Sequence, residues 1–227
     1  MARVVPALLF DLDGTLVDSV YQHVAAWHEA LSSAGIELSV WRIHRKIGMS
    51  GGLFVRGLMR ELGRTLEPAV ADEVRRRHAA AYAARFDEVV PLPGTKELLA
   101  TLTELQAPWA IATSGGRDVA DRTLALLDLP PDVPVVTRDE VQHAKPDPDL
   151  FLRAAEKLGV PIARSVVVGD SVWDLLAARR AGALGVGVLS GGYGGEELQS
   201  AGAYRVYEDP RDILAHLDEI GIRDPES

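Results

Sequence analysis

The 227-residue chain predicts an α/β fold: a doubly wound parallel sheet with an α-helical cap block inserted after the first strand. Three observations predict it. Short, continuous apolar runs, at Ala7–Phe10 and repeatedly from Trp109 onward, alternate with helical segments, as in parallel strands covered on both faces. Residues 20–88 carry no strand signal and read almost wholly as helices. Two of the apolar runs stop at aspartates, in Phe10-Asp11-Leu12-Asp13-Gly14 and in Gly169-Asp170-Ser171. Carboxylates therefore collect at the carboxyl ends of strands, where open α/β sheets bind their ligands.

Taken in order, Ala7–Phe10 is a buried strand, Gly14 lets the backbone leave the sheet sharply, and Thr15 can bond back to the turn it opens. Asp18-Ser19 offers an N-cap for the next helix, in which Val24, Trp27, Ala30 and Leu31 fall at helical spacing and Gly35 provides the C-cap. Further helices are expected over 40–47, 53–62 and 69–86, with a break at 48–52. Pro91-Leu92-Pro93-Gly94 marks the return to the sheet. Strands follow at Trp109–Ala112, 133–136, 166–168, Leu184–Val188 and 204–206. Helices are expected at 95–105, 117–127, 148–158, 173–181, 196–200 and 210–220. The expected domains are a core of residues 1–18 plus 89–227 and a cap of residues 19–88.

Composition narrows the function. Apolar residues make up 47% and charged residues 25%, both ordinary for a globular enzyme. There is no cysteine, hence no disulfide framework, thiolate metal site or thiol nucleophile. A net charge of −9 disfavours nucleic acid as a partner. Residues 20–88 hold ten Lys/Arg against eight Asp/Glu, so the acidity resides in the rest. No run reaches membrane-spanning length, and the apolar stretch from Val4 to Phe10 is too short for a secretory signal. A cytoplasmic protein, monomeric and without membrane partners, is expected.

Four strand-tip motifs carry the chemistry. Asp11 and Asp13 would repel each other unless a cation sits between them, which asks for a hard divalent metal, most simply Mg²⁺; an ordinary acidic turn is the bland alternative. Thr113-Ser114-Gly115-Gly116 follows a strand and precedes a helix, where a hydroxyl and free N–H groups can hold a phosphoryl oxygen, or simply cap the helix. In Lys145-Pro146-Asp147-Pro148, Asp147 reads as an N-cap with Pro148 at the first helical position, while Pro146 holds Lys145 extended. Asp170 ends the Val166-Val167-Val168 run, and Asp174 lies one helical turn beyond it.

Asp-x-Asp-Gly-Thr-Leu-Val-Asp-Ser from Asp11, Thr113-Ser114, Lys145-Pro146 and Gly169-Asp170-Ser-x-x-Asp174 occur in order and resemble the four motifs of the haloacid dehalogenase (HAD) superfamily, in the subfamily with an α-helical cap. The resemblance spans essentially the whole chain. It implies a Rossmann-like core and a Mg²⁺-dependent phosphatase acting on a small phosphorylated metabolite. Asp11 is then the nucleophile that forms an aspartyl phosphate, and Asp13 the general acid and base. Thr113 supplies the hydroxyl, Lys145 neutralises nucleophile and phosphate, and Asp11, Asp13 (through its backbone carbonyl) and Asp170 hold the metal. Asp174 is expected to act through water or from behind. Substrate contacts are expected from Ser114, Gly115, His23, Gly48 and Ser50. Of the cap cations Arg45, Lys46, Arg75, Arg76, Arg77 and His78, no more than two are expected to meet substrate.

The resemblance leaves one close alternative, a sugar phosphomutase of the β-phosphoglucomutase type, whose hinge histidine His23 resembles. That enzyme implies a cap arginine, a cap lysine and an acid before the fourth-motif aspartate, at positions occupied here by Gly51, His78 and Gly169. A phosphorylation-dependent receiver module would share the Asp, Thr and Lys but lacks both the cap and the second acid.

Overall fold

The computed structural model describes residues 5–63 and 65–223; residues 1–4, 64 and 224–227, which the expected domain ranges include, lie outside the described residues. The first strand, β1, runs over Ala7–Phe10, all four residues buried. A two-residue strand, β2 (Val17–Asp18), leads into helices α1 (Val20–Ser32), α2 (Val40–His44), α3 (Gly51–Glu61) and α4 (Pro68–Ala83). β3 (Val90–Pro91) then pairs antiparallel with β2, so the chain enters and leaves the helical block through a two-stranded ribbon. That ribbon carries no sequence signal: each strand is too short for a period, and the partners lie far apart in the chain.

Beyond the ribbon come α5 (Thr95–Glu104), β4 (Trp109–Ala112), α6 (Arg117–Leu124), β5 (Val135–Val136) and α7 (Asp149–Leu158). β6 (Ser165–Gly169), α8 (Val172–Ala181), β7 (Leu184–Val188), α9 (Gly195–Ala201), β8 (Ala203–Tyr207) and α10 (Pro210–Ala215) complete the fold. The six long-range strands form one parallel sheet in the order β5-β4-β1-β6-β7-β8. β1 therefore lies centrally with β4 and β6 as neighbours, and the tips of all three open onto one crevice, as the doubly wound arrangement requires. The expected α/β fold with a helical insertion is the observed one.

The core divides in two. Apolar residues of β1, β4, β6 and β7 and of the flanking helices pack on both faces of the sheet. Val24, Trp27, Leu31, Phe54, Leu58 and Val74 belong to a separate cluster confined to the helical block. Among the described residues, no helix is long and apolar enough to cross a membrane.

Several local expectations need correction. α10 stops at Ala215, where His216 leaves helical geometry, rather than continuing to 220. α6 ends at Leu124 because residues 125–127 turn back, and α4 closes at Ala83. Asp147 does not cap α7: Pro148 occupies the N-cap and Asp147 faces Arg180. Gly51 and Gly52, expected in a break, already belong to α3.

Candidate active site

β1 ends at Phe10, just before Asp11, and β6 at Gly169, just before Asp170, so the register that pairs Phe10 with Val168 brings Asp11 and Asp170 to neighbouring strand tips. Gly14 makes the turn between them possible. Its φ is +85°, and a Cβ there would meet Asp170 Cγ at 2.7 Å. Thr15, expected to bond within its own turn, instead donates its hydroxyl to Asp170 Oδ1 at 3.2 Å. The fourth motif is completed by α8, whose first turn returns Asp174 to the crevice. Ser171 caps that helix, donating Oγ to Asp174 Oδ2 at 2.5 Å while its backbone N–H donates to the same oxygen at 3.2 Å.

Lys145, fully buried, binds the Asp11 carboxylate and lies 2.8 Å from Asp174 Oδ1. Asp11, Asp170 and Asp174 bring oxygens within 4.8 Å of one another, all three groups buried. Burial is the main force raising the Asp11 carboxyl to about 7; Asp174 and Asp13 add to it, and Lys145 only partly offsets it. Asp170 is likewise pushed well above the carboxylate range, by burial first and then by Asp174 and Asp11. Burial opposes the charge on Lys145, but the two aspartates outweigh it and hold the ammonium protonated. Three buried carboxylates against one ammonium leave an anionic, all-oxygen pocket, a donor set suited to a hard divalent cation. Asp174 is thus part of the carboxylate cluster.

Asp13 turns away from this cluster. Its Oδ1 accepts from Ser19 Oγ at 2.7 Å and lies 3.3 Å from His23 Nε2. Burial would raise this carboxyl, but the His23 ring, Ser19 and Lys145 together hold it below the usual range. Ser19 was expected only as a helix cap. It makes no such side-chain bond and is committed to Asp13 instead. His23 in turn meets His78 Nε2 at 3.1 Å through Nδ1 and stacks on Tyr82 with ring centroids 3.8 Å apart. His78 stacks on Trp27, and Trp27 on Phe54, each pair about 4 Å apart. Sequence periodicity marked Trp27 only as a core position; its role as a wall depends on the pairing of α1 with α4.

A cavity of about 230 Å³ lies between sheet tips and cap. Asp11, Asp13, Thr113, Ser114 and Gly115 line its floor, and His23 and Gly48 its cap side. Thr113 Oγ1 accepts from the Gly115 N–H at 3.0 Å, which fixes the loop after β4. Lys145 and Asp170 sit beneath the floor. Ser50, a candidate for substrate contact, is buried at the N-cap of α3 and is not among the lining residues. Of the six cap cations, only Arg75 and His78 reach the cavity. Arg45 pairs with Glu197, Lys46 with Glu61, and Arg76 and Arg77 with Glu73.

Comparison with known proteins agrees with this geometry. Residues 5–182 match a family model described as haloacid dehalogenase-like hydrolase. The chain is 34% identical to hexitol phosphatase A of Escherichia coli, over 77% of this chain and 78% of the relative. It is 31% identical to phosphoglycolate phosphatase of Caulobacter vibrioides, over 91% of this chain and 88% of the relative. A crystal structure described as a hydrolase from Pseudomonas syringae superposes with a TM-score of 0.91 at 54% identity, covering 95% of this chain and 99% of that one. With three motifs at strand tips and the Lys145 motif, expected at a strand tip but lying in the loop between β5 and α7, brought to the same crevice beneath a helical cap, the chain belongs to the haloacid dehalogenase-like hydrolases.

Proposed function

We propose that this chain, a phosphomonoester hydrolase of that family, cleaves a small phosphorylated metabolite through an aspartyl phosphate on Asp11, with Mg²⁺ as its metal. The observation that carries the proposal is the placement of Asp11. It stands at a central strand tip, bound to Lys145 and beside Asp170 and Asp174, with its carboxylate open to the cavity. Relatives named for hexitol and phosphoglycolate phosphatase activity support the same reaction class.

Asp11 attacks the phosphorus in line, and its carboxylate replaces the alcohol oxygen. Asp13, held by Ser19 and His23 at Oδ1, delivers a proton to the departing oxygen and then takes one from the water that cleaves the acyl phosphate. Lys145 neutralises negative charge on Asp11 and the phosphoryl group, and Thr113 with the N–H groups of Ser114 and Gly115 orients its oxygens. Asp11, Asp170 and the Asp13 carbonyl, with Asp174 alongside, would hold Mg²⁺, which supplies charge neutralisation of the phosphoryl oxygens. We assign the floor to a core of residues 1–18 plus 89–227 and the roof to a cap of residues 19–88.

The mutase alternative finds less support. A Cβ at Gly169 would run into the Asp174 side chain, so no acidic residue fits there, and Gly51 supplies no arginine clamp for a second phosphate. A phosphomonoester panel with Mg²⁺ and with chelator, read as released inorganic phosphate, tests the proposal. Metal-dependent release lost in Asp11→Asn is expected; release that survives in Asp11→Asn would overturn it.

A further inference from the structure

The part of the cavity that must hold the leaving group differs sharply from its floor. Trp27, Ile47, Met49 and Phe54 of the cap and Val119 and Ala120 of α6 form its walls. Against these apolar surfaces stand four polar side chains: His23, His78, Arg75 and Thr123. His78 is half-buried, stacked on Trp27, with Nε2 directed at His23. The Arg75 guanidinium is bound to Asp72 one turn earlier on the same helix, so its charge is already compensated. Arg45, Lys46, Arg76 and Arg77 are paired elsewhere, and no other cap cation lines the cavity among the described residues. On the opposite side the cavity is lined by Asp13.

A carboxylate or second phosphate in this space would lose its hydration against an apolar wall, find only an arginine already paired with Asp72, and approach the Asp13 carboxylate. An uncharged alcohol would lose little. Its carbons would cover apolar and aromatic surface, and its hydroxyls could bond to His78, Arg75 or Thr123 without needing charge compensation. Resting on the phosphatase reading above, we infer that the substrate is the monophosphate of an uncharged polyol or sugar, and that the Trp27–Met49–Phe54 wall rejects leaving groups bearing a second anion.

Matched substrate pairs test this directly. Ethylene glycol monophosphate and phosphoglycolate differ by one carboxylate, as do a hexitol monophosphate and a phosphogluconate. Steady-state kinetics near neutral pH with Mg²⁺ are expected to favour the uncharged member of each pair by roughly tenfold or more in kcat/KM. Met49→Lys, which brings an ammonium to the wall, is expected to raise the charged member about tenfold relative to its neutral twin. Equal or faster turnover of the charged members by the wild type would overturn the inference while leaving the phosphatase activity intact. Turnover of none of the four would overturn both. A preference unmoved by Met49→Lys would overturn its assignment to this wall.

Discussion

At and beneath the floor of the cavity Asp11, Lys145, Asp170 and Asp174 are each no more than 3% exposed, with Lys145 bound to Asp11 and Asp174 and Asp170 beside them. At its roof the wall is apolar, and the one arginine reaches into solvent with a 41% exposed side chain. The floor rests on three parallel strands whose register is shared with the whole sheet, so its groups cannot move independently. The roof belongs to a block with its own apolar cluster, joined to the sheet through a two-residue ribbon and surface contacts such as Arg45 with Glu197. On the function proposed above, reaction chemistry and substrate choice would reside in different parts of one chain. Changes below should lower kcat for every ester; changes above should redistribute kcat/KM among esters.

The largest expected effect breaks the floor. Asp11→Asn should reduce kcat on the order of 10⁴-fold or more with every substrate while the circular dichroism spectrum stays native. Turnover within tenfold of wild type would refute the nucleophile. Asp13→Asn comes next, with a loss of about 10²–10⁴ in kcat and little change in KM, measured by steady-state kinetics.

The acidic cluster also makes a stability prediction for the metal-free protein. Asp11 rises from an ordinary value of 3.8 to about 7 on folding, and Asp170 shifts the same way. The folded state therefore keeps protons that the unfolded chain has lost, and this contribution to stability declines as pH rises from about 4 towards 7. In chelator, Tm should fall across that window, and Asp170→Asn should flatten the fall. Millimolar Mg²⁺ should raise Tm of the wild type at neutral pH by binding the folded state alone, and raise it less in Asp170→Ala. A flat profile, or an equal Mg²⁺ response in both proteins, would deny the cluster its role.

The smallest effect sharpens the boundary between floor and roof. Ser19→Ala removes one hydrogen bond from Asp13 and should cost about 1 kcal/mol of transition-state stabilisation, a fewfold drop in kcat shared by all substrates. A drop confined to one ester would place Ser19 with the roof instead.

How much of this could be read in advance depends on distance along the chain. Asp11, Asp13, Asp170 and Thr113 stood out because each follows a strand tip, and an apolar run ending in a polar residue is visible within a few positions; Lys145, well past β5, stood out only through its Lys-Pro motif and the family resemblance. The helical insertion was equally visible, since seventy residues with helical spacing and no strand run admit few alternatives. The ends of α6 and α10 were misplaced because apolar periodicity continues through residues that tertiary packing bends into turns. Ser19 looked like a helix cap because a serine before a helix ordinarily is one; only the fold brings the Asp13 carboxylate close enough to compete for its hydroxyl.

By itself, then, the sequence determined the layer architecture and the inserted helical block, because these follow from periods and breaks that are local, and it singled out the acids and the lysine through short motifs. The tertiary structure alone decided which cations were already paired, that Asp174 joins Asp11 and Asp170, and that His78 meets His23 across two helices. It also decided that Trp27, Met49 and Phe54 converge as a wall. Those facts arise from the packing of elements tens of residues apart, where side-chain orientation and charge pairing are set by contacts that no local pattern encodes.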